Sequence, residues 1–493
     1  MKNIPRLLPL VAALLLAGCA TALPPLPSAP ETPSQFKENK EQWTIAQPAE
    51  ARDRGTWWKA FKDPVLDDLV ERAGTGNTSI QEAAARLNQA QALVRNAQAN
   101  RLPQVGVGAD ASRGAGANTA NGTTPATMLQ AGANLSYEVD LFGRLAGLRD
   151  AAALDAQSRA ALLQSTQLLV QSNVAQTYLA LRAVDTERTL VQDTATAYAE
   201  TLRLTQRRYE AGDVAELDVI RIQTELAATE AEVFALSRSR AELEHALAVL
   251  VGEVASGFTI ESTSESTALP VIPAGVPATV LSRRPDVAAA QSSLLAAQAR
   301  VGVAQAAWFP SISLTAAGGY ASPDLSDLFR WSSRAWGVGA LVSAPLFDGG
   351  RRAAGVQNAE AQLDAAAASY RGQVLNAFRE VEDQLSALRL LQEQGQAQGR
   401  AVTAAQRASA IAETRYRNGL VSQLELLDAR RNELQNRRLA QRVEATQRQA
   451  TVLLIRALGG SWEVEEVSPP AKAIVKSTAG VATLAGLETS PSL

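Results

Sequence analysis

Residues 208–219 read RYEAGDVAELDV, and residues 415–426 read RYRNGLVSQLEL. Arg, Tyr, Gly, Val and Leu recur in register: Tyr209 answers Tyr416, Gly212 answers Gly419 and Leu217 answers Leu424, an offset of 416 − 209 = 207. The same offset relates Pro103 to Pro310, Arg144 to Arg351 and Gly252 to Gly459. Phe142 and Phe347 differ by 205, which reads as two residues inserted in the second copy between Phe347 and Arg351. Self-similarity at one fixed offset over so long a stretch means duplicated architecture. The copies are expected at 80–252 and 287–459, with a segment 49–79 before them, a linker 253–286 between them and a tail 460–493 after them.

Each copy carries the same succession of signals. An Ala- and Gln-rich helical stretch ends at the Pro, and two short alternating segments follow. A very long helical tract then leads to the Tyr-x-x-Gly turn, with a shorter helix beyond it. The long tracts, about 145–209 and 352–416, contain no Pro. At 1.5 Å per residue each would reach roughly 100 Å, far beyond ordinary globular helices. Leu226, Val233, Leu236, Leu243, Leu247 and Leu250 form a seam spaced by threes, fours and sevens, so the helices should pack in coiled-coil fashion.

The short segments alternate with the period of a strand. Leu129, Ala131, Ala133, Leu135, Tyr137, Val139 and Leu141 are apolar, against Gln130, Gly132, Asn134, Ser136, Glu138 and Asp140. Val105, Val107, Ala109 and Ala111 repeat the pattern, as do Ile312 and Leu314, and Trp336, Val338, Ala340, Val342 and Leu346. Tyr137, Phe142, Tyr320, Trp331, Trp336 and Phe347 cluster near the ends, as an aromatic girdle would. Half-buried hairpins on a soluble sheet would show the same alternation. If the strands span a membrane, four of them cannot close a barrel, because the smallest barrels need about eight strands; the chain must then oligomerise.

The first residues read as an export signal. Lys2 and Arg6 precede an apolar run from Leu7 to Leu16 that is too short to cross a bilayer. Leu16-Ala17-Gly18-Cys19 resembles a bacterial lipobox, so residues 1–18 are expected to be removed and Cys19, the one cysteine of the chain, to carry acyl chains. Ala20 in place of Asp after the Cys points to the outer membrane by that resemblance. Residues 19–48 are Pro-rich and suit an extended tether.

Chemistry is sparse. Net charge is −3 with the signs interspersed, which argues against nucleic acid as a partner. His245 is the sole histidine, and no metal-ligand spacing, nucleophile elbow or phosphate loop is present, so neither a cofactor nor an enzymatic activity is expected.

Taken together, the lipobox at Cys19, YEVDLFGR from Tyr137, the stretch RRPDVAAAQSSLLAAQARVGVAQAAWFPSISLTAAGG from Arg283, APLFDGGR from Ala344 and the two tip motifs, with LLDARR after the second, resemble the TolC-like outer-membrane efflux protein family. The likeness is to its NodT-type lipoprotein branch. The resemblance implies a mainly α chain with membrane β, assembling as a homotrimer. Four strands per chain would close one barrel of about 12 strands in outer-membrane lipid, continuous with a long α-helical barrel in the periplasm. It implies the exit duct of a tripartite pump, with a periplasmic adaptor (a membrane fusion protein) and an inner-membrane transporter of the RND type as partners. A duct for type I protein secretion, or a helical adaptor that never spans the membrane, are the other readings.

In that frame the two turns, with Arg208, Tyr209 and Gly212 in one and Arg415, Tyr416 and Gly419 in the other, are hairpins at the periplasmic tip. Charges within a few turns of them are candidates for closing the duct at rest: Asp218 and Arg221 in the first copy, and Arg417, Asp428, Arg430 and Arg431 in the second. Asp428 matches a position that the family uses to constrict the periplasmic end.

Overall fold

The computed structural model describes residues 24–26, 36–38, 56–115, 125–263, 269–270 and 283–460; Cys19 lies outside them. After a short turn at Trp57–Phe61 come α1 (Pro64–Gly76) and α2 (Thr78–Ala99), then β1 (Gln104–Gly114), β2 (Ala126–Val139), α3 (Arg144–Glu210) and α4 (Glu216–Val251). The second copy supplies α5 (Pro285–Ala306), β3 (Ser311–Ser322), β4 (Arg334–Ser343), α6 (Arg351–Arg417) and α7 (Gln423–Ala457). Both long helices have 67 residues, about 100 Å of rise. Among the described residues no helix is long and apolar enough to cross a membrane.

The expected two-residue insertion is not there. Arg144 and Arg351 both open a long helix, and the register partners Gln104↔Ser136 and Ser311↔Ser343 keep the same 207-residue spacing. What moved is the residue that caps the helix. Asp140 takes the amides of Leu145 and Ala146 at 3.0 and 2.6 Å, whereas Asp348 takes those of Gly350 and Arg352 at 3.1 and 3.2 Å. Either carboxylate satisfies amides that no helical carbonyl can reach. The Phe moved the other way, from two residues after its Asp to one residue before it.

The four strands form one antiparallel sheet in the order β1-β2-β3-β4. Residues opposite one another share a face, so the register sorts the side chains. One face carries the rows Val105–Leu135–Ala316–Val338, Val107–Ala133–Gly318–Trp336 and Tyr137–Leu314–Ala340. The other carries Gln104–Ser136–Thr315–Gly339 and Gly106–Asn134–Ala317–Gly337, with Leu341 beside Ser313 and Met128 beside Ser112 as its large apolar members. On this second face Gly132 stands opposite Gly319, and a Cβ on Gly132 would meet the Gly318 carbonyl oxygen at 2.7 Å. The strands crowd together there, which curls the sheet around its polar side as a barrel wall requires.

Two expectations at the strand ends are corrected. Leu141 lies beyond β2, and Leu346 lies beyond β4, where Pro345 lacks the amide needed to continue a ladder. Aromatic rings still mark both ends. At the helix side Phe142 stacks on Phe309 with centroids 4.7 Å apart; at the hairpin side Tyr320 meets Phe329 edge-on at 5.7 Å.

Below the sheet, α3 packs against α2, α4, α5 and α7, and α6 against α5 and α7. The main core lies mid-length, where Trp57, Trp58, Phe61 and α1 cover Val174, Tyr178 and Leu181 of α3 and Leu247 and Val251 of α4. Phe258 and Ile260 close it. The Tyr178 hydroxyl donates to Asp63 at 2.7 Å, and burial, aided by that carboxylate, pushes the phenol above its ordinary range.

The face assignment makes a direct prediction. Leu135→Arg puts a guanidinium on the apolar face and should cost roughly 2–4 kcal/mol of folding stability in a bilayer, whereas Ser136→Arg on the opposite face should cost little. Folding yield into lipid vesicles measures both, and equal losses would reverse or erase the assignment.

Candidate gate at the helix tips

Both hairpins turn by one device. After α3 the Gly212 amide reaches the Tyr209 carbonyl at 2.9 Å and the Asp213 amide reaches Arg208 at 2.8 Å; after α6, Gly419 reaches Tyr416 at 3.0 Å and Leu420 reaches Arg415 at 2.8 Å. These paired bonds are the Schellman closure, which needs a left-handed residue after the helix. Gly212 and Gly419 supply it with φ of 82° and 71°. The return helix α7 is capped by Ser422, whose hydroxyl accepts from Glu425 at 3.3 Å.

The recurrent Arg and Tyr do something else. Arg208 Nη1 donates to the Tyr416 hydroxyl at 3.4 Å, with its guanidinium 5.8 Å from the ring centroid. The first hairpin thus grips the second through the two residues that the motif repeats. Their counterparts face outward: Tyr209 is 40% exposed, and Arg415 lies 4.0 Å from Glu425 with both side chains more than half exposed.

The candidate charges sort into three groups. Asp218 and Arg221 lie 3.8 Å apart along α4. Arg417 pairs with Glu413, and Arg430 lies between Glu413, at 3.7 Å, and the Thr201 hydroxyl, to which it donates at 3.0 Å. Arg431 meets Asp428 at 3.5 Å on its own helix, but its Nε donates to Glu225 of α4 at 2.8 Å. That second bond ties α7 to α4, and it lowers the Glu225 carboxyl below its usual range.

Glu225, Glu413 and Thr201 were not among the residues singled out from the sequence. Glu225 and Thr201 sit on other helices than the arginines they meet, so no local spacing signals them, whereas Glu413 precedes Arg417 by four residues on α6, a spacing the sequence does carry. Beneath the charges Tyr198, Ile222 and Leu427 form a buried apolar knot between α3, α4 and α7.

The profile of the outer membrane efflux protein family matches residues 69–253 and again 276–460. The chain belongs to that family. It is 32% identical over 471 residues to the solvent efflux pump outer membrane protein SrpC of Pseudomonas putida, covering 93% of this chain and 99% of that one. To the cation efflux system protein CusC of Escherichia coli it is 30% identical over 462 residues, covering 93% and 99%. The crystal structure of the Campylobacter jejuni CmeC outer membrane channel superposes with a TM-score of 0.82 at 25% identity, covering 90% of this chain and 96% of that one. The fold is therefore that of a TolC-like outer-membrane channel whose helices form the periplasmic part, with the family unit present twice.

Glu225 makes the tip sensitive to pH. Its folded-state pKa is depressed, so the stability it contributes is full above the ordinary carboxylate range and is lost as pH falls through the lower, folded value. Wild type should exceed Glu225→Gln in thermal stability at pH 7, and the gap should close below roughly pH 4. A double-mutant cycle should give Arg431 and Glu225 a coupling of up to ~1 kcal/mol, larger than that of Arg431 with Asp428. The reverse order would leave Glu225 as a bystander.

Proposed function

We propose that the chain is one third of a passive, trimeric exit duct of a tripartite efflux pump, carrying small toxic compounds across the outer membrane. The observation that carries this reading is an asymmetry between two helices of equal length. Of the 67 residues of α3, 18 are buried; of the 67 of α6, only 7 are. Leu168 of α3 is 6% exposed, whereas its counterpart 207 residues on, Leu375 of α6, is 54% exposed. α3 is flanked by the second copy through α5 and α7. Repeating that step around a ring sets α6 against α2 and α4 of a further chain, and the edge strands β1 and β4 ask for the same neighbour.

The relatives named above act on solvents and on cations with one common scaffold, so this duct is assigned no cargo selectivity of its own. Selection belongs to an inner-membrane transporter of the RND type, coupled through a periplasmic adaptor to the tip hairpins. The gate is assigned to the tip charges, chiefly Arg431 with Glu225 and Asp428, above the Tyr198 knot.

The same rotation that maps Arg208 onto Arg415 maps Tyr416 onto Tyr209 of the next copy. Cysteines at Arg415 and Tyr209 together should yield covalently linked trimers with a flexible bis-maleimide, whose linker replaces the two long side chains that meet at their tips, and neither should do so alone. Only monomeric chains on the gel, from protein correctly placed in the outer membrane, would remove the trimer. Asp428→Ala should raise resting conductance in planar bilayers modestly, because an exposed pair contributes under ~1 kcal/mol.

Lipidation at Cys19 is supported by reach. Gln298 donates to the Pro24 carbonyl at 2.7 Å, eight residues (about 12 Å) from the end of α5 below the sheet. Five extended residues from Pro24 back to Cys19 span up to ~17 Å, enough to set the thiol at the bilayer surface. Cys19→Ser should abolish palmitate labelling yet leave the protein resistant to alkaline carbonate, since strands hold it in the membrane. Release by carbonate would make the lipid the dominant anchor.

A further inference from the structure

The apolar face of the sheet has two cations on it. Arg113 shares the face of Val105, Val107 and Ala109, and Arg334 closes the row Ala109–Ala131–Tyr320–Arg334. Both are exposed, and both stand at the hairpin end, away from the helices: Arg113 is one residue from the end of β1, and Arg334 is the first residue of β4. In an outer-membrane channel with periplasmic helices, that end lies in the outer leaflet. The Arg334 guanidinium lies over the Trp331 ring and donates through Nε to the Trp331 carbonyl at 2.8 Å. Trp331, Trp336 and Phe329 are 72%, 81% and 69% exposed around it. Asp327, the acid close by, pairs with Arg330 instead at 3.2 Å.

β1 and β4 are the two edges of the sheet. Closing the barrel, which rests on the trimer proposed above, lays β4 of one copy beside β1 of the next. Carrying the β2–β3 pair Ala131↔Tyr320 through the 207-residue offset sets Val338 opposite Arg113 of the next copy, four residues (about 13 Å of strand) from Arg334. Arg334 and Arg113 of the next copy therefore flank each seam on its lipid side, with Cα atoms roughly 14 Å apart across adjacent strands. At that spacing the two long side chains do not touch but both reach an anion held between them, to which each guanidinium can donate paired hydrogen bonds. The outer leaflet of an outer membrane is built of glycolipid with phosphate groups at this depth. We propose that each seam binds one phosphorylated glycolipid headgroup of the outer leaflet, with Arg334 and Arg113 on the phosphate and Trp331 and Trp336 against the base of its acyl chains.

The test is native mass spectrometry of the full-length protein in detergent, titrated with bisphosphorylated lipid A and with its dephosphorylated form. Wild-type trimers should retain up to three lipid A molecules and prefer the phosphorylated form. Arg113→Gln and Arg334→Gln should each weaken retention about fivefold, since each removes one cation from a shared site. Arg→Lys at either position should retain part of the affinity, which separates lost charge from a damaged rim. Equal retention of the two lipids by wild type, or unchanged retention in both Gln variants, overturns the proposal. Displacement of the lipid by low-millimolar inorganic phosphate would reassign the site to free anions and overturn it likewise. The same spectra report assembly: monomers alone would fault the trimer, whereas trimers without phosphate preference fault only the lipid site.

Discussion

A backbone amide or carbonyl in hydrocarbon has no water to turn to, and leaving it unpaired costs several kcal/mol. Four strands in the order β1-β2-β3-β4 leave two complete edges in that condition. The architecture follows from this deficit. A sheet whose one face is apolar and whose other face crowds together at Gly132 and Gly319 is a segment of a closed wall. The helices inherit the same incompleteness, with α3 enclosed and α6 bare along a matching length. The trimer proposed above would complete the chain at both levels.

The tips obey a different economy of forces. Arg431, Asp428, Arg417 and Arg415 are all about half exposed or more, so each ion pair contributes little after solvent screening and side-chain entropy. The Tyr198–Ile222–Leu427 knot is buried and supplies the larger, non-directional part of the cohesion. If these ties close the duct at rest, as proposed above, a docking partner opens it with a few kcal/mol of differential binding. A large apolar seal would hold better and open worse.

Much of this was legible in the sequence, because the informative signals were local. Gly212 and Gly419 announce a left-handed residue after a helix, and alternation from Leu129 to Val139 announces a strand with two unlike faces. Long Pro-free tracts gave the helix lengths to within a residue or two. Partners across helices were not legible. Whether Arg431 meets Asp428, three residues away, or Glu225, 206 away, depends on how two helices are rotated about their axes, and periodicity leaves that angle free. The misplaced insertion has a similar origin: Asp140 and Asp348 cap their helices from different distances, and sequence comparison followed the Phe beside each cap instead of the helix start.

The duplication is least faithful at mid-length, where the two copies cover the same core surface with different pieces of chain. In the first copy the surface formed by Val174, Tyr178, Leu181, Leu247 and Val251 is covered by α1, Phe61, Phe258 and Ile260. The counterparts 207 residues on are Val381, Leu385, Leu388, Leu454 and Leu458, and the residue covering them is Phe36. Phe36 comes from the segment between Cys19 and the first copy, and it is 2% exposed. The amides of Lys37 and Glu38 donate to Glu382 at 2.7 and 3.1 Å, and Glu38 in turn accepts from Arg389 at 2.8 Å. Burying a Phe ring stabilises by roughly 1.5–3 kcal/mol, and the flanking bonds fix its register. The short described stretch 36–38 is therefore a piece of the second copy's core. Phe36 thereby ties its segment to α6 and α7, the helices that carry the second hairpin and most of the candidate gate.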